Sequence, residues 1–298
     1  MIAVLGSANM DLVATVDRAP GRGETVTGRT FTTVPGGKGA NQALAAARGG
    51  GDVAFLGAVG DDEFGRRVTA LLADAGIDVS GLAVSDRPTG TAHITVDATG
   101  DNSIVVVPGA NGTVTSLTDA HRAAIDAADL LMMQLELPLP LVTEAARYAR
   151  SRGVRVVLTP APAVALPAEL LAAVDVLVPN EHEAALLAGV DDPVDAARSL
   201  AAGGGDVVVT LGGRGALRVS GGAETAVPAF PVEAVDTTAA GDTFAGVLAV
   251  GLADGLDWPD ALRRASAAAA LSVQRPGASS SMPDRAEIDA FLTGAGAP

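Results

Sequence analysis

The amino-acid sequence predicts an α/β fold, a mostly parallel central sheet covered by helices, with a small β layer beside it. Two observations carry this prediction. Short, almost wholly apolar runs alternate with Ala- and Leu-rich stretches of helical length, as strands covered on both faces and their crossover helices require. Two other segments break that rhythm and read as half-exposed strands.

In chain order, Ile2–Leu5 is the first buried strand. Val26–Val34 alternates weakly and belongs to the small layer, after which a glycine-rich turn leads into an Ala-rich helix. Val53–Leu56 is the next buried strand, and Thr91–Val107 reads as two strands around the turn Ala98-Thr99-Gly100-Asp101-Asn102. Leu130–Met133, Val154–Leu158, Val174–Val178 and Val207–Leu211 complete the buried set, with helix-length segments between most of them. The runs Gly49–Gly51 and Gly203–Gly205 are turns between helix and strand. Val232–Val235 is strand-like, a helix begins at Asp242, another spans Ala261–Val273, and the last lies near Asp284–Leu292. With no internal repeat and no dividing linker, residues 1–298 are expected to form one domain, its small β lid built from about 10–34 and 90–108.

Composition narrows the function. With 298 residues, 48% of them hydrophobic, and a mean hydropathy of +0.35, the chain can bury a sizeable core. Its 35 Asp+Glu against 20 Lys+Arg give a net charge of −15, which repels nucleic acid and anionic membranes alike. Neither is expected as a partner. The chain has no cysteine, which excludes disulfides and thiolate metal sites and fits a cytoplasmic setting. The N-terminus lacks a basic segment, and Asn9 and Asp11 interrupt its apolar run, so neither a signal peptide nor a membrane span is expected there.

The chemistry concentrates at strand ends. In "DTTAAGDTFAGVLA", residues 236–249, small residues open a helix whose first amides, at Ala240 and Gly241, face one point and suit an anion. Asp242 at this helix start gains from the dipole and can take a proton from an alcohol attacking phosphorus; alternatively it only caps the helix. "VPGGKGANQALAAA", residues 34–47, is a second glycine-rich helix start with Lys38 and Asn41, but it lacks the Walker A spacing. "GSANMD", residues 6–11, leaves a strand end with Asn9 and Asp11, donors and acceptors suited to sugar hydroxyls or simply to a turn. "PNEHEA", residues 179–184, gathers acidic and amide groups that suit Mg²⁺ bound through water and nucleotide phosphates. "TLGGRGA", residues 210–216, lets backbone approach a nucleotide, or makes a tight hairpin.

Taken in order with "GETVTG", "MQLELP", "PAPA" and the "GAS" at 277–279, these stretches resemble the ribokinase and phosphofructokinase-B family of carbohydrate kinases over essentially the full length. "GGKGANQA" and "MQLE" are similar to its ribokinase branch. The resemblance implies a three-layer α/β/α sandwich with a β-sheet lid, ATP-dependent phosphorylation of D-ribose at O5, and a homodimer formed through the lid. It implies sugar contacts from Asn9, Met10, Asp11, Gly37, Lys38, Gly39, Ala40, Asn41 and Glu136, with Asp242 as base and Ala240 and Gly241 at the anion hole. Nucleotide contacts are implied for Asn180, Thr210, Leu211, Gly212, Gly213, Arg214, Gly215, Gly241 and Ser266, and an Mg²⁺-organising role for Glu183. A K⁺ site is implied at Asp236, completed by carbonyls of Thr238, Ser272, Arg275 and Gly277 and by Ser281. Thr159, Ala245 and Ser266 depart from the family's usual residues, the last standing where a larger His or Asn often borders adenine. The alternatives are a kinase of another pentose, a ketohexose or a nucleoside, and a catalytically silent sugar-binding homologue. The polar set around Asn9 disfavours nucleosides, and a silent homologue would lack Asp242 or its anion hole.

Overall fold

The structure is a computed structural model and describes residues 1–294. Its elements, in order, are β1 (Ile2–Leu5), β2 (Asn9–Val16), β3 (Gly28–Gly36), α1 (Lys38–Arg48), β4 (Val53–Gly60), α2 (Glu63–Asp74), β5 (Asp78–Ser85), β6 (Gly90–Val96) and β7 (Asn102–Val107). After a 3₁₀ turn at Gly109–Thr113 come α3 (Asp119–Asp126), β8 (Leu130–Met133), α4 (Leu139–Ser151), β9 (Arg155–Leu158), α5 (Ala168–Leu171), β10 (Val176–Leu177), α6 (Glu181–Ala188) and α7 (Pro193–Ala201). The chain then forms β11 (Asp206–Thr210), β12 (Ala216–Ser220), β13 (Ala223–Val227), α8 (Ala240–Ala253), α9 (Trp258–Ser272) and α10 (Arg285–Gly294).

A nine-stranded sheet runs in the order β13-β12-β11-β10-β9-β8-β1-β4-β5, parallel from β11 through β5, with the antiparallel β12 and β13 at one edge. Helices cover both faces, because successive side chains of each strand serve opposite layers. Ala3 and Leu5 of β1 face one core cluster with Leu131 and Met133, whereas Ile2 and Val4 face the other with Leu130 and Met132. Within the second layer α1 and α8 approach closely at Gly246, where a Cβ would lie 2.6 Å from the Gln42 carbonyl oxygen and 2.8 Å from Ala45 Cβ. This contact brings Asp242, one turn earlier on α8, beside the polar face of α1.

The small layer is a four-stranded sheet, β3-β2-β6-β7, built from residues 9–36 and 90–107. In it β2 pairs parallel with β6 and antiparallel with β3, and Asp97 caps the β6–β7 turn by accepting from the Thr99 amide and hydroxyl and from the Asp101 amide.

Several boundaries differ from expectation. Val174–Val178 shortens to the two residues of β10, and α8 begins at Ala240 rather than Asp242. Val232–Val235 is no strand: Pro231 precedes it, and the Val235 amide bonds the Val273 carbonyl at the end of α9 rather than a neighbouring strand. α9 starts earlier than expected because Asp257 caps it and Pro259 occupies its first turn. Among the described residues no helix is long and apolar enough to cross a membrane.

Candidate functional site

The sheet's strand order reverses at β1. From β1 the chain passes to β4 on one side and later returns to β8 on the other, so the loops after β1 and β8 diverge at the carboxyl ends and leave a crevice. Polar residues stitch that crevice together. The Ser7 hydroxyl donates to Glu136 Oε2 at 2.5 Å, and the Lys38 amide donates to the same oxygen at 3.0 Å. The Ala40 amide donates to the Ser7 carbonyl at 2.9 Å, and at Gly39 a Cβ would sit 2.5 Å from Ser7 N. The start of α1 is therefore seated directly on the β1 loop, which only a glycine at 39 allows.

Asn9 is buried at the start of β2, and Asn111 donates to its Oδ1 at 2.7 Å while exchanging two more bonds with the Ala8 backbone. Asp11 follows two residues later. Met10, between them, is wholly buried in the core, so its side chain packs and presents no polar group to the crevice.

Asp242 lies in the first turn of α8, 8% exposed, where it accepts from Asn41 Nδ2 at 3.3 Å and from Gln42 Nε2 at 3.0 Å. Burial raises its pKa, and the Glu136 charge adds to this; the Lys38 ammonium and the bonds from Gln42 and Asn41 oppose it. Desolvation thus outweighs the favourable partners and makes this carboxylate a better proton acceptor than a free one. Asp11 is pushed up to about 6, first by burial, then by Glu136 and Asp242, against the pull of Lys38. Lys38 in turn is raised by Asp242, an effect that outweighs its own partial burial and is reinforced by Glu136, Glu183 and Asp11. Four carboxylates thus share one ammonium.

Beyond the first turn of α8 opens a cavity of about 300 Å³. Its walls are almost uncharged. It brings together the expected Thr210, Gly212, Gly213, Gly215, Gly241 and Ser266 with Phe230, Val232, Phe244, Ala269 and Val273, which sequence reasoning missed. Ser266 Oγ is buried there without a hydrogen-bond partner in the protein. Leu211 and Arg214 are not among its lining residues: Leu211 packs against the core and Arg214 pairs with Glu181. The amide of Ala240 bonds the Thr237 carbonyl at 3.2 Å, whereas Gly241 is exposed, with open space about its Cα.

Asn180 sits beside Thr210 in a parallel bridge and forms a capping box with Glu183, each side chain accepting the other's amide. Burial raises the pKa of Glu183, opposed by the Asn180 amide and by Lys38. Among the described residues no three carboxylates or histidines converge as a metal-binding group.

Asp236 accepts from the Thr238 amide and hydroxyl at 2.9 and 2.6 Å and from the Gly277 amide at 2.8 Å. Burial works to raise its pKa, but these three bonds win and hold it below the usual carboxylate range. Ser272 and Ser281, on either side of Gly277 in the chain, are buried, their hydroxyls donating to the carbonyls of Ala269 and Ala278, while Arg275 pairs with Glu287. The structure thus joins Asp236, Thr238 and Gly277 directly. Asp236 also makes an ordinary turn cap through its bonds from Thr238.

Gln42, Gln134 and Asn111 were not expected in the site. Gln42 carried a signal, since positions 38, 41 and 42 stand three and four residues apart and share one helix face. Nothing comparable marks Asn111, an amide in a Gly-rich turn.

This arrangement can do definite chemistry. A buried carboxylate that can receive a proton stands beside an ammonium, between a polar crevice and a helix N-terminus open to anions.

The chain is similar to known proteins over nearly its whole length. The profile of the pfkB family carbohydrate kinases matches residues 1–285. The ribokinase of Bacillus subtilis strain 168 is 44% identical over 294 residues, covering 98% of this chain and 99% of its own. Among solved structures, Thermotoga maritima ribokinase has a TM-score of 0.92 at 38% identity, covering 98% of this chain and 99% of its own. Arabidopsis thaliana ribokinase, solved with ribose and ATP, has a TM-score of 0.92 at 34% identity with 98% of each chain covered. The fold class and the ribokinase-branch resemblance expected from the sequence are both met.

Proposed function

The chain belongs to the pfkB family of carbohydrate kinases, and on that premise we propose that it transfers the γ-phosphoryl group of ATP to O5 of D-ribose. One observation carries the reading: Asp242 stands between a polar crevice and a neutral cavity whose wall includes the exposed Gly241. The relatives named ribokinase, one of them bound to ribose and ATP, support the choice of both substrates. A cytoplasmic setting, where ATP is supplied, suits the reaction.

In this reading Asn9, Asp11, Lys38, Asn41 and Glu136 hold the sugar, and Asp242 removes the proton from its primary hydroxyl as that oxygen attacks phosphorus. The Gly241 amide and the α8 dipole hold charge developing on the transferred group, with Lys38 as counter-charge. The cavity takes the base of the nucleotide, with the unpartnered Ser266 hydroxyl on its wall. Glu183, partly buried and within electrostatic reach of Lys38, would hold Mg²⁺ through water, and the ion would supply neutralisation of phosphate charge. The small β sheet acts as a lid that excludes water, a competing phosphoryl acceptor. The reading is tested by ADP release across pentoses, ketohexoses and nucleosides: ribose gives the highest kcat/KM, and a higher value for fructose or a nucleoside makes the alternative correct.

Two further parts of the reading carry their own expected results. Phe31, Val105 and Val107 are exposed by 65%, 64% and 47%, an apolar surface on the lid that suits a homodimer. Light scattering at micromolar concentration should give twice the chain mass, and a monomer removes this part.

Asp236 is kept anionic and bridges Thr238 to the loop at Gly277, so a K⁺ ion held by this carboxylate and nearby carbonyls would tie the anion-binding turn to that loop. Exchange of K⁺ for tetramethylammonium at fixed ionic strength should lower activity. Unchanged kcat and KM leave Asp236 as a turn cap alone.

A further inference from the structure

We propose that Gln134, acting through Gln42, is a positioning residue that fixes the orientation of the Asp242 carboxylate. The inference rests on Asp242 as the base. Both glutamines are buried, Gln42 at 0% and Gln134 at 1% exposure, and neither side chain reaches the crevice surface. Gln42 Nε2 donates to Asp242 Oδ1 at 3.0 Å, and Gln134 Nε2 donates to Gln42 Oε1 at 2.6 Å.

The carboxylate dictates the polarity of this chain. An ionised carboxylate only accepts, so Gln42 must turn its NH₂ group toward Asp242 and its oxygen away, toward Gln134. Gln134 must then present its own NH₂ group. Its oxygen is left buried with no partner, against the backbone of Gly6, where a Cβ would lie only 2.3 Å from it. An unsatisfied buried carbonyl is unfavourable, and the opposite orientation of Gln134 would set oxygen against oxygen at Gln42. The strain sits at the far end of the chain, and the ordered end holds the carboxylate.

Asn41 Nδ2, at 3.3 Å from the other oxygen, is the second restraint on Asp242. The charged groups acting on the carboxylate are Lys38 from α1, Glu136 from the loop after β8, Asp11 from β2 and Glu183 from α6. Gln42 opposes the effect of burial on Asp242, so loosening it should leave the carboxylate easier to protonate as well as less well aimed.

The test is Gln134→Met, an apolar replacement of similar length that keeps the core filled. In the full-length enzyme kcat should fall by roughly 10-fold, as for other outer supports of a reacting group, with KM for ribose and ATP within about 2-fold. The acidic limb of the kcat–pH profile should move upward. A filler role in the core would not move that limb. The uncharged Gln134→Leu gives a second reading if Gln134→Met does not fold, because it too removes the donor to Gln42 Oε1 and adds no charge that would itself shift the limb. Asp242→Asn is measured alongside. If it is active, the assignment of the base fails; if it is inactive while the folded Gln134 variant keeps the wild-type kcat and pH limb, only the role of Gln134 is overturned.

Discussion

Asp242→Asn should lower kcat by about 10²- to 10⁴-fold, the range expected when a general base is lost. The amide has nearly the shape of the carboxylate, so the fold should survive. Stability should in fact respond in the opposite direction to activity. Burial raises the folded pKa of Asp242 above its unfolded value, so between those values the folded state binds the proton more tightly. The wild-type protein therefore loses stability as pH rises through that window. The Asn variant carries no such titration, and its melting temperature should gain on wild type as pH increases from about 4 upward. Near-normal kcat in this variant would remove Asp242 as the base, and a melting temperature that falls relative to wild type with pH would contradict the burial argument.

Asp11→Asn should raise the KM for ribose by about 5- to 10-fold with a smaller effect on kcat, because it replaces a charge-assisted hydrogen bond worth about 1.5–3 kcal/mol with a neutral one worth about 0.5–1.5 kcal/mol. The pH dependence gives a sharper check. With its pKa pushed up to about 6, Asp11 is protonated in the mildly acidic range and ionised above it, and the ionised form is the better acceptor for sugar hydroxyls. The wild-type KM should fall as pH rises through about 6, and the Asn variant should lose that dependence. A wild-type KM that is flat between about pH 5 and 8 would contradict the assignment.

The parts of the fold that could be read from the sequence are those whose physics is local. β1 and β8 are wholly buried parallel strands, so their residues are apolar without interruption and their limits match expectation. β2 escaped notice as a strand because it carries Asn9, Asp11 and Thr15 among its apolar residues; the crevice, not the core, sets its composition. β5 is broken by Gly81 and polar residues at an edge of the sheet, and β12 and β13 form an edge hairpin around Gly221-Gly222.

The same division runs through the site. Asp242, Lys38 and Asn41 stood out because glycine-rich turns at helix starts flagged them, whereas Glu136 entered only through the family resemblance of "MQLE". Their acidities were not legible, since these depend on four carboxylates and one ammonium brought together from five separate stretches of chain. The cavity walls were equally hidden. Ala269 and Val273 on and after α9 read as core, and only the coil from Ala229 to Thr237, laid across them, turns that face into a pocket.

The most direct measurement of the central claim is the structure of the product. The full-length protein is incubated with ATP, Mg²⁺ and D-ribose, and the mixture is followed by ³¹P and ¹³C NMR. The expected outcome is one sugar monophosphate per ADP, with phosphorus coupled to C5 of ribose. ADP released without a sugar phosphate, or phosphorus coupled to any other carbon, would contradict it.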